Sequence, residues 1–208
     1  MKNFDNSFLS RKIKIIAGTD EAGRGPLAGP VVAASVIFAN DKKIEGVNDS
    51  KKLTEIQRDK LFPEIIHSAL SVGVSVISHG KIDKINILQA SLLGMKTAVN
   101  RLNIKPDLVL IDGNKTFESN TNSIAVVKGD SKSFAIASAS IVAKVVRDRI
   151  MKRLDLYFPQ YLWAKNKGYP TREHINAVKL YGPSPLHRKS FLKKILPDYY
   201  YSNFEINI

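Results

Sequence analysis

An α/β fold with a mixed β-sheet follows from three features of the amino-acid sequence. Short β-branched runs recur along the chain, separated by longer segments with helical spacing. The first two runs, "IKIIAGTD" (13–20) and "GPVVAASVIF" (29–38), are joined only by a Gly/Pro-rich turn, so they read as neighbouring strands and not as the two ends of a crossover. At 208 residues, 44% hydrophobic and 25% charged, the chain is long enough and apolar enough to bury a full core.

The elements follow in order. "TEIQRDKLFPEIIHSAL" (54–70) places Ile56, Leu61, Ile65 and Ile66 at helical spacing, with Thr54 as candidate cap and Pro63 as candidate kink. "SVGVSVIS" (71–78) reads as a strand. "KINILQASLLGMKTAVNRL" (84–102) is amphipathic, with Ile85, Leu88, Leu92, Met95 and Val99 on one stripe. "DLVLID" (107–112) and "SIAVVKGD" (123–130) are strands, each ending in an acid. Residues 131–158 form a long helical segment rich in small side chains. A turn-rich stretch, a helix from Arg172 to Leu180 and a basic, aromatic tail complete the chain. The order β, β, α, β, α, β, β, α, followed by a mostly helical C-terminal part, predicts a mixed sheet and not a strictly alternating, doubly wound one.

Composition restricts the function. The formal net charge of +13 favours a polyanionic partner, most commonly nucleic acid. The absence of cysteine excludes a disulfide framework and thiolate metal sites and fits a reducing cytoplasm. No stretch reaches the roughly 20 apolar residues of a membrane span, and the N-terminus lacks the apolar stretch of a signal peptide. A cytosolic protein is expected, with no membrane contact.

Three acids stand at strand ends: Asp20 after the first strand, Asp112 after the fourth and Asp130 after the fifth, with Glu21 beside Asp20. A single acid there is most often a turn former. If the three strand ends are neighbours, four carboxylates converge on one sheet edge, where they repel each other and raise each other's pKa values unless hard divalent cations are bound. Mg²⁺ or Mn²⁺ suits an all-oxygen donor set, and two such ions support in-line displacement at phosphorus. A local twist or bulge would let adjacent Asp20 and Glu21 reach the metals from one strand. Neither "GRGPLAG" (23–29) nor "GNKT" (113–116) has the glycine spacing of a dinucleotide fingerprint or a phosphate loop.

The ordered set "GTDEAGRGPLAGPVV", "NDSKKLT", "LIDGNK", "KGDSKSFAIASASIVAKVVRD", "NKGYPT" and "GPSPLHRKSF" spans residues 18–191 and closely resembles bacterial ribonuclease HII. The resemblance implies a ribonuclease H-like fold, a mixed five-stranded sheet flanked by helices. It implies a core over 1–158 and a helical, substrate-contacting region over 159–208 packed on it as a single domain. It implies cleavage of the RNA strand of RNA/DNA hybrids and incision 5′ of single ribonucleotides in duplex DNA, by a monomer using two divalent metal ions. Motif by motif, the catalytic, metal-binding quartet falls on Asp20, Glu21, Asp112 and Asp130, the Gly-Arg-Gly signature on Gly23, Arg24 and Gly25, and the substrate-contacting tyrosine on Tyr169. Trp163 and Asn166 depart from the family pattern, which carries phenylalanine and histidine there. The type HIII enzymes are the related alternative; they lack the Gly-Arg-Gly signature and carry an additional N-terminal domain. A binding protein on a degenerate nuclease scaffold is the non-enzymatic one, and an intact quartet opposes it.

Further basic residues have two readings each. Lys51 and Lys52, on a loop entering a helix, suit phosphate binding or a solvated charge pair. Ser140, Lys144 and Arg147 share a helix face that suits a substrate backbone, while Lys144 also suits pairing with an acid near the metals. His67, His79, His174 and His187 show no paired spacing and read as structural or exposed. The tail "LPDYYYSNFEINI" (196–208) is expected to dock on the core.

Overall fold

The first two runs, rich in β-branched and small residues and joined by the Gly/Pro-rich turn, pair as an antiparallel ribbon, β1 (Ile16–Ala22) and β2 (Val31–Ile37). The computed structural model describes residues 1–195, so the aromatic tail at 196–208 lies outside the described residues. Strand β3 (Ser71–Ile77) adds antiparallel to β2, while β4 (Leu108–Asp112) and β5 (Asn122–Val126) add in parallel on the other side of β1. The resulting order β3-β2-β1-β4-β5 is the expected mixed, five-stranded sheet. Every residue of β2 is buried, since helices cover both faces of the sheet centre.

Helix α1 (Lys2–Asn6) is followed in sequence by α2 (Glu55–Ser68), which starts at a full capping box between Thr54 and Gln57 and carries Pro63 inside it. The helix expected over 84–102 is two helices. Asn86, at φ 64°, ends α3 (His79–Ile85) and caps α4 (Ile87–Asn100) by accepting a hydrogen bond from the Gln89 N–H. The buried stripe of α4 keeps Met95 and Val99 of the expected one, while Leu88 and Leu92 are only half-buried. Ala90, Ser91, Gly94, Met95, Ala98 and Val99 face inward, because small side chains let the helix lie close on the sheet, where Gly94 has room for nothing larger than the contacts to Ala33, Ile77 and Ser75 allow.

On the opposite face lies α5 (Phe134–Asp155), started by Ser133, whose hydroxyl accepts from the Ile136 N–H. Its first turn packs so closely on β1 that a Cβ on Gly18 would collide with the Ala135 and Ile136 backbone. The acids sit differently from the expectation at two strands. Pairing of β1 with β2 runs on through Ala22↔Val32, so Asp20 lies inside the strand. Strand β5 stops at Val126, and Asp130 lies four residues on, in a 3₁₀ turn at Gly129–Ser131 that follows the left-handed Lys128 (φ 56°).

After α5 come the short helices α6 (Trp163–Asn166), α7 (Arg172–Tyr181) and α8 (Lys189–Ile195). Trp163, Val178 and Leu192 bury against Leu27, Ala28 and Met151, so this region folds back onto the Gly/Pro-rich loop between β1 and β2. Backbone hydrogen bonds close the junction: the Leu27 N–H donates to Gly168 O at 2.8 Å, Arg188 N–H to Leu27 O at 2.7 Å and Gly29 N–H to Leu186 O at 3.0 Å. Among the described residues no helix is long and apolar enough to cross a membrane.

Candidate active site

Parallel pairing of β1 with β4 and of β4 with β5 brings three carboxyl-terminal strand ends to one edge of the sheet, the side on which open α/β sheets form their clefts. The register Thr19↔Ile111 sets Asp20 beside Asp112. Asp20, Asp112 and Asp130 each offer a carboxylate oxygen, all within 4.8 Å of one another. Three hard oxygen donors without cysteine or histidine match a divalent cation such as Mg²⁺ or Mn²⁺.

Each acid is oriented by its surroundings. Asp20 is buried; its Oδ1 accepts from the Glu21 N–H at 2.7 Å, and Ser140, whose hydroxyl lies 2.8 Å from that of Ser50, also bonds to its side chain. Asp112 Oδ1 accepts from the N–H groups of Gly129 at 2.7 Å and Asp130 at 3.3 Å, which ties the turn after β5 to the end of β4. Burial pushes the Asp20 carboxyl well above the usual carboxylate range, and the charges of Glu21 and Asp112 push in the same direction. Asp112 is raised by burial and by Asp130. Carboxylates that resist ionisation together are stabilised by a cation between them.

Glu21 does not join the trio. With no break in the β1–β2 register, its side chain leaves the strand on the face opposite Asp20. It lines a small cleft under α4 with Asp112, Ser91 and Met95 and pairs with Arg24 Nη1 at 3.4 Å. The twist or bulge expected to turn both acids the same way is therefore absent at this pair. Burial raises the Glu21 carboxyl, partly offset by Arg24.

The turn behind the acids is braced from inside by two buried arginines. Arg188 donates to the carbonyls of Gly23 at 2.7 Å, Arg24 at 3.1 Å, Gly29 at 3.0 Å and Pro30 at 3.2 Å. Arg147 donates to Pro30 O and Lys167 O at 3.0 Å and to Ala28 O at 3.3 Å. Gly23, at φ 103°, leaves its side-chain position to the stem of Arg147, so its lack of a Cβ serves packing within the protein. Gly25 is different: a Cβ there would meet only the ring of Tyr169, at 3.5 Å. Tyr169 thus stands against the turn, 37% exposed.

The other basic residues divide. Lys51, 78% exposed at its side chain, reaches Asp130 Oδ2 at 3.3 Å. Its loop is anchored by Arg58, which donates to Ser50 O at 2.8 Å. Lys144 pairs with Asp148 Oδ1 at 2.7 Å, one helical turn away, and not with an acid of the trio. Arg147 is fully buried, so the helix face that it shares with Ser140 and Lys144 does not lie open to a substrate backbone.

His174 and His187, unrelated by spacing, are in contact at 3.1 Å between their Nε2 atoms. Both departures from the family motif take part in this neighbourhood. Trp163 Nε1 donates to His174 Nε2 at 3.1 Å, and Asn166 bridges Tyr161 O and the Gly168 N–H, both at 2.7 Å, just before Tyr169. Residues thirteen apart with different neighbours carry no pairing signal in a sequence, so this contact shows only after folding.

In sequence and in fold the chain is similar to known proteins. The ribonuclease HII family profile matches residues 17–194. Ribonuclease HII of Acetivibrio thermocellus is 52% identical over 193 residues, covering 93% of this chain and 75% of the relative. That of Rickettsia akari is 53% identical over 177 residues, covering 85% and 91%. The crystal structure of ribonuclease H2 from Pyrococcus horikoshii superposes with a TM-score of 0.73 at 30% identity, covering 89% of this chain and 98% of that one. The chain belongs to the ribonuclease HII family, metal-dependent hydrolases of the ribonuclease H type.

Proposed function

We propose that the protein is an endoribonuclease that hydrolyses the RNA strand of RNA/DNA hybrids and incises duplex DNA 5′ of a single embedded ribonucleotide, leaving 3′-hydroxyl and 5′-phosphate ends. The observation that supports this best is the carboxylate trio of Asp20, Asp112 and Asp130, set at the sheet edge beside the turn at Gly23, Arg24 and Gly25. Those three acids, with Glu21 reaching Asp112 from the cleft under α4 as the fourth, would hold two ions of Mg²⁺ or Mn²⁺. The chemistry supplied by ions held there would be activation of a water as the nucleophile and stabilisation of charge on the leaving 3′ oxygen.

The remaining steps belong to the chain. Ser140 and the Glu21 N–H hold Asp20 in place, and the turn after β5 does the same for Asp112. Lys51 reaches the trio from the solvent side, where it meets a backbone phosphate. Arg188 draws the carbonyls of Gly23 and Arg24 inward, so the N–H groups of Arg24 and Gly25, which point away from those carbonyls across a trans peptide, face outward. Neither N–H donates to any acceptor among the described residues. They are free to bond the 2′-hydroxyl that distinguishes RNA from DNA. Tyr169, beside Gly25, packs on the next sugar in the 3′ direction, where a deoxyribose offers an apolar C2′. The turn asks for a 2′-hydroxyl at one residue and Tyr169 for its absence at the next, so together they read an RNA-to-DNA junction.

A labelled DNA duplex with one ribonucleotide, incubated with Mg²⁺, Mn²⁺ or a chelator, tests the reading on a sequencing gel. Incision 5′ of the ribonucleotide with metal, and none with chelator, is expected. Asp112→Asn and Asp130→Asn should each lower turnover by at least about 10²-fold while hybrid binding persists, because a lost ligand charge also repelled phosphate. A normal rate for Asp130→Asn with saturating Mg²⁺ removes that residue from the ligand set.

A further inference from the structure

The segment carrying Tyr169 ends in a buried relay of hydrogen bonds. The Ser184 N–H donates to His187 Nδ1 at 2.9 Å. A backbone N–H only donates, so His187 Nδ1 holds its lone pair and the ring proton sits on Nε2. That Nε2–H faces His174 Nε2 at 3.1 Å, which is therefore the acceptor, and the Trp163 indole N–H donates to the same atom. The His174 proton is left on Nδ1, 2.9 Å from the carbonyl of Tyr169. Each ring has one tautomer that satisfies every partner.

We infer that His174, oriented by His187 and Ser184, is a positioning residue for Tyr169: it fixes the carbonyl of that residue and thereby the placement of the ring against Gly25. The same carbonyl accepts from the Thr171 N–H at 2.8 Å, and Thr171 caps α7, whose first turn contains His174. The relay therefore ties the ring to the start of a helix. Around it, the Tyr161 and Trp163 rings stack at 5.2 Å and exclude water. His174 and His187 are buried, and burial holds both imidazoles below the usual histidine range, which keeps them neutral and the relay directional. Trp163 in place of phenylalanine adds a second donor to His174 Nε2 and so reinforces the tautomer that points a proton at Tyr169. The functional consequence rests on the reading of Tyr169 as a junction-sensing residue, whereas the relay itself does not.

Asparagine and glutamine separate the two ends of the imidazole. His174→Asn keeps an N–H donor at the position of Nδ1; His174→Gln keeps polar atoms only at the position of Nε2. The full chain carrying 3-fluorotyrosine at position 169 is used. The ¹⁹F resonance should move in His174→Gln and stay close to the parent in His174→Asn. The ratio of kcat/KM on a single-ribonucleotide duplex to that on a continuous hybrid should fall about five-fold in His174→Gln and little in His174→Asn. A displaced resonance with an unchanged ratio supports the relay and removes Tyr169 from junction recognition. A ¹⁹F resonance unmoved by His174→Gln overturns the relay, whatever the ratio does. The parent protein gives a test that needs no variant: ¹⁵N shifts at pH 7 should show unprotonated Nε2 in His174 and unprotonated Nδ1 in His187, and the opposite tautomer at either ring also overturns it.

Discussion

Gly23 and Gly25 look alike in the sequence, and the structure gives them different work. At Gly23 the backbone is left-handed and the side-chain volume is filled by Arg147, so Gly23→Ala has to displace a buried guanidinium that makes three hydrogen bonds. A loss of about 2 to 4 kcal/mol in stability is expected, visible as a lower Tm and a lower denaturant midpoint. Gly25 has an ordinary φ and an ordinary contact to Tyr169. Gly25→Ala should keep the Tm within a few degrees and still lose single-ribonucleotide incision, because its methyl stands beside the outward N–H groups and the tyrosine ring. Equal Tm losses in the two variants would refute this division. The acids show the same dependence on local geometry. Asp20 and Asp112 were legible in the sequence because β-branched runs end on them, and the parallel register Thr19↔Ile111 makes them meet even though β1 runs on past Asp20. Asp130 was legible as an acid but not as a member of a turn, since nothing in "VVKGD" marks where pairing with β4 stops. The position of Glu21, outside the trio, follows from an unbroken register that adjacency alone does not reveal.

Among the elements, the strands were the readable part and the packing of the last three helices was not. Period-two runs and turn residues identify β1 to β5 within a few positions. The single amphipathic pattern over 84–102 hid a break at Asn86, because asparagine in the left-handed region leaves the apolar spacing intact while it redirects the chain. The roles of Arg147 and Arg188 were equally hidden: an arginine reads as a surface residue unless the carbonyls that surround it are known. Here those carbonyls come from the loop between β1 and β2, so α5 and the approach to α8 hold the turn from both sides. The histidine relay links α7 to the residues before α8 and makes this union sensitive to acid. Burial, then the neighbouring His174, lowers His187 to about 3 in the folded chain, against about 6.5 when unfolded, with His79 of α3 adding a smaller push in the same direction. The unfolded chain therefore binds more protons between those values, and stability is present above about pH 6.5 and lost as pH falls. His187 alone should account for about 2 kcal/mol of loss between pH 7 and pH 5. His187→Asn, which keeps an acceptor for the Ser184 N–H and does not titrate, should show a shallower decline in denaturant midpoint over that range. Parallel pH profiles for the two proteins would mean that the imidazole is not the group responsible.

Across the whole molecule, a net charge of +13 surrounds a site made of carboxylates, so attraction and chemistry are carried by different residues. Long-range attraction draws in any duplex, and the salt dependence of binding counts the phosphates that the protein neutralises. The structure separates two lysines that share this charge. Lys51 is exposed and extends over the trio to Asp130, in a position to exchange that partner for a phosphate when metal ions take up the carboxylates. Lys144 is mostly buried and committed to Asp148, which Arg58 Nη2 also approaches at 3.8 Å. Lys51→Ala should weaken binding to hybrid and to plain duplex alike and reduce the slope of log affinity against log salt by roughly one unit. Lys144→Ala should leave that slope unchanged and lower the Tm instead, because it removes the nearer of two cations from a buried carboxylate. Fluorescence anisotropy on a labelled hybrid between about 50 and 200 mM salt measures both slopes. A slope that falls for Lys144→Ala and holds for Lys51→Ala would reverse the assignment, and with it the direction from which the nucleic acid approaches the acids: across the helix face of α5 instead of over the loop before α2.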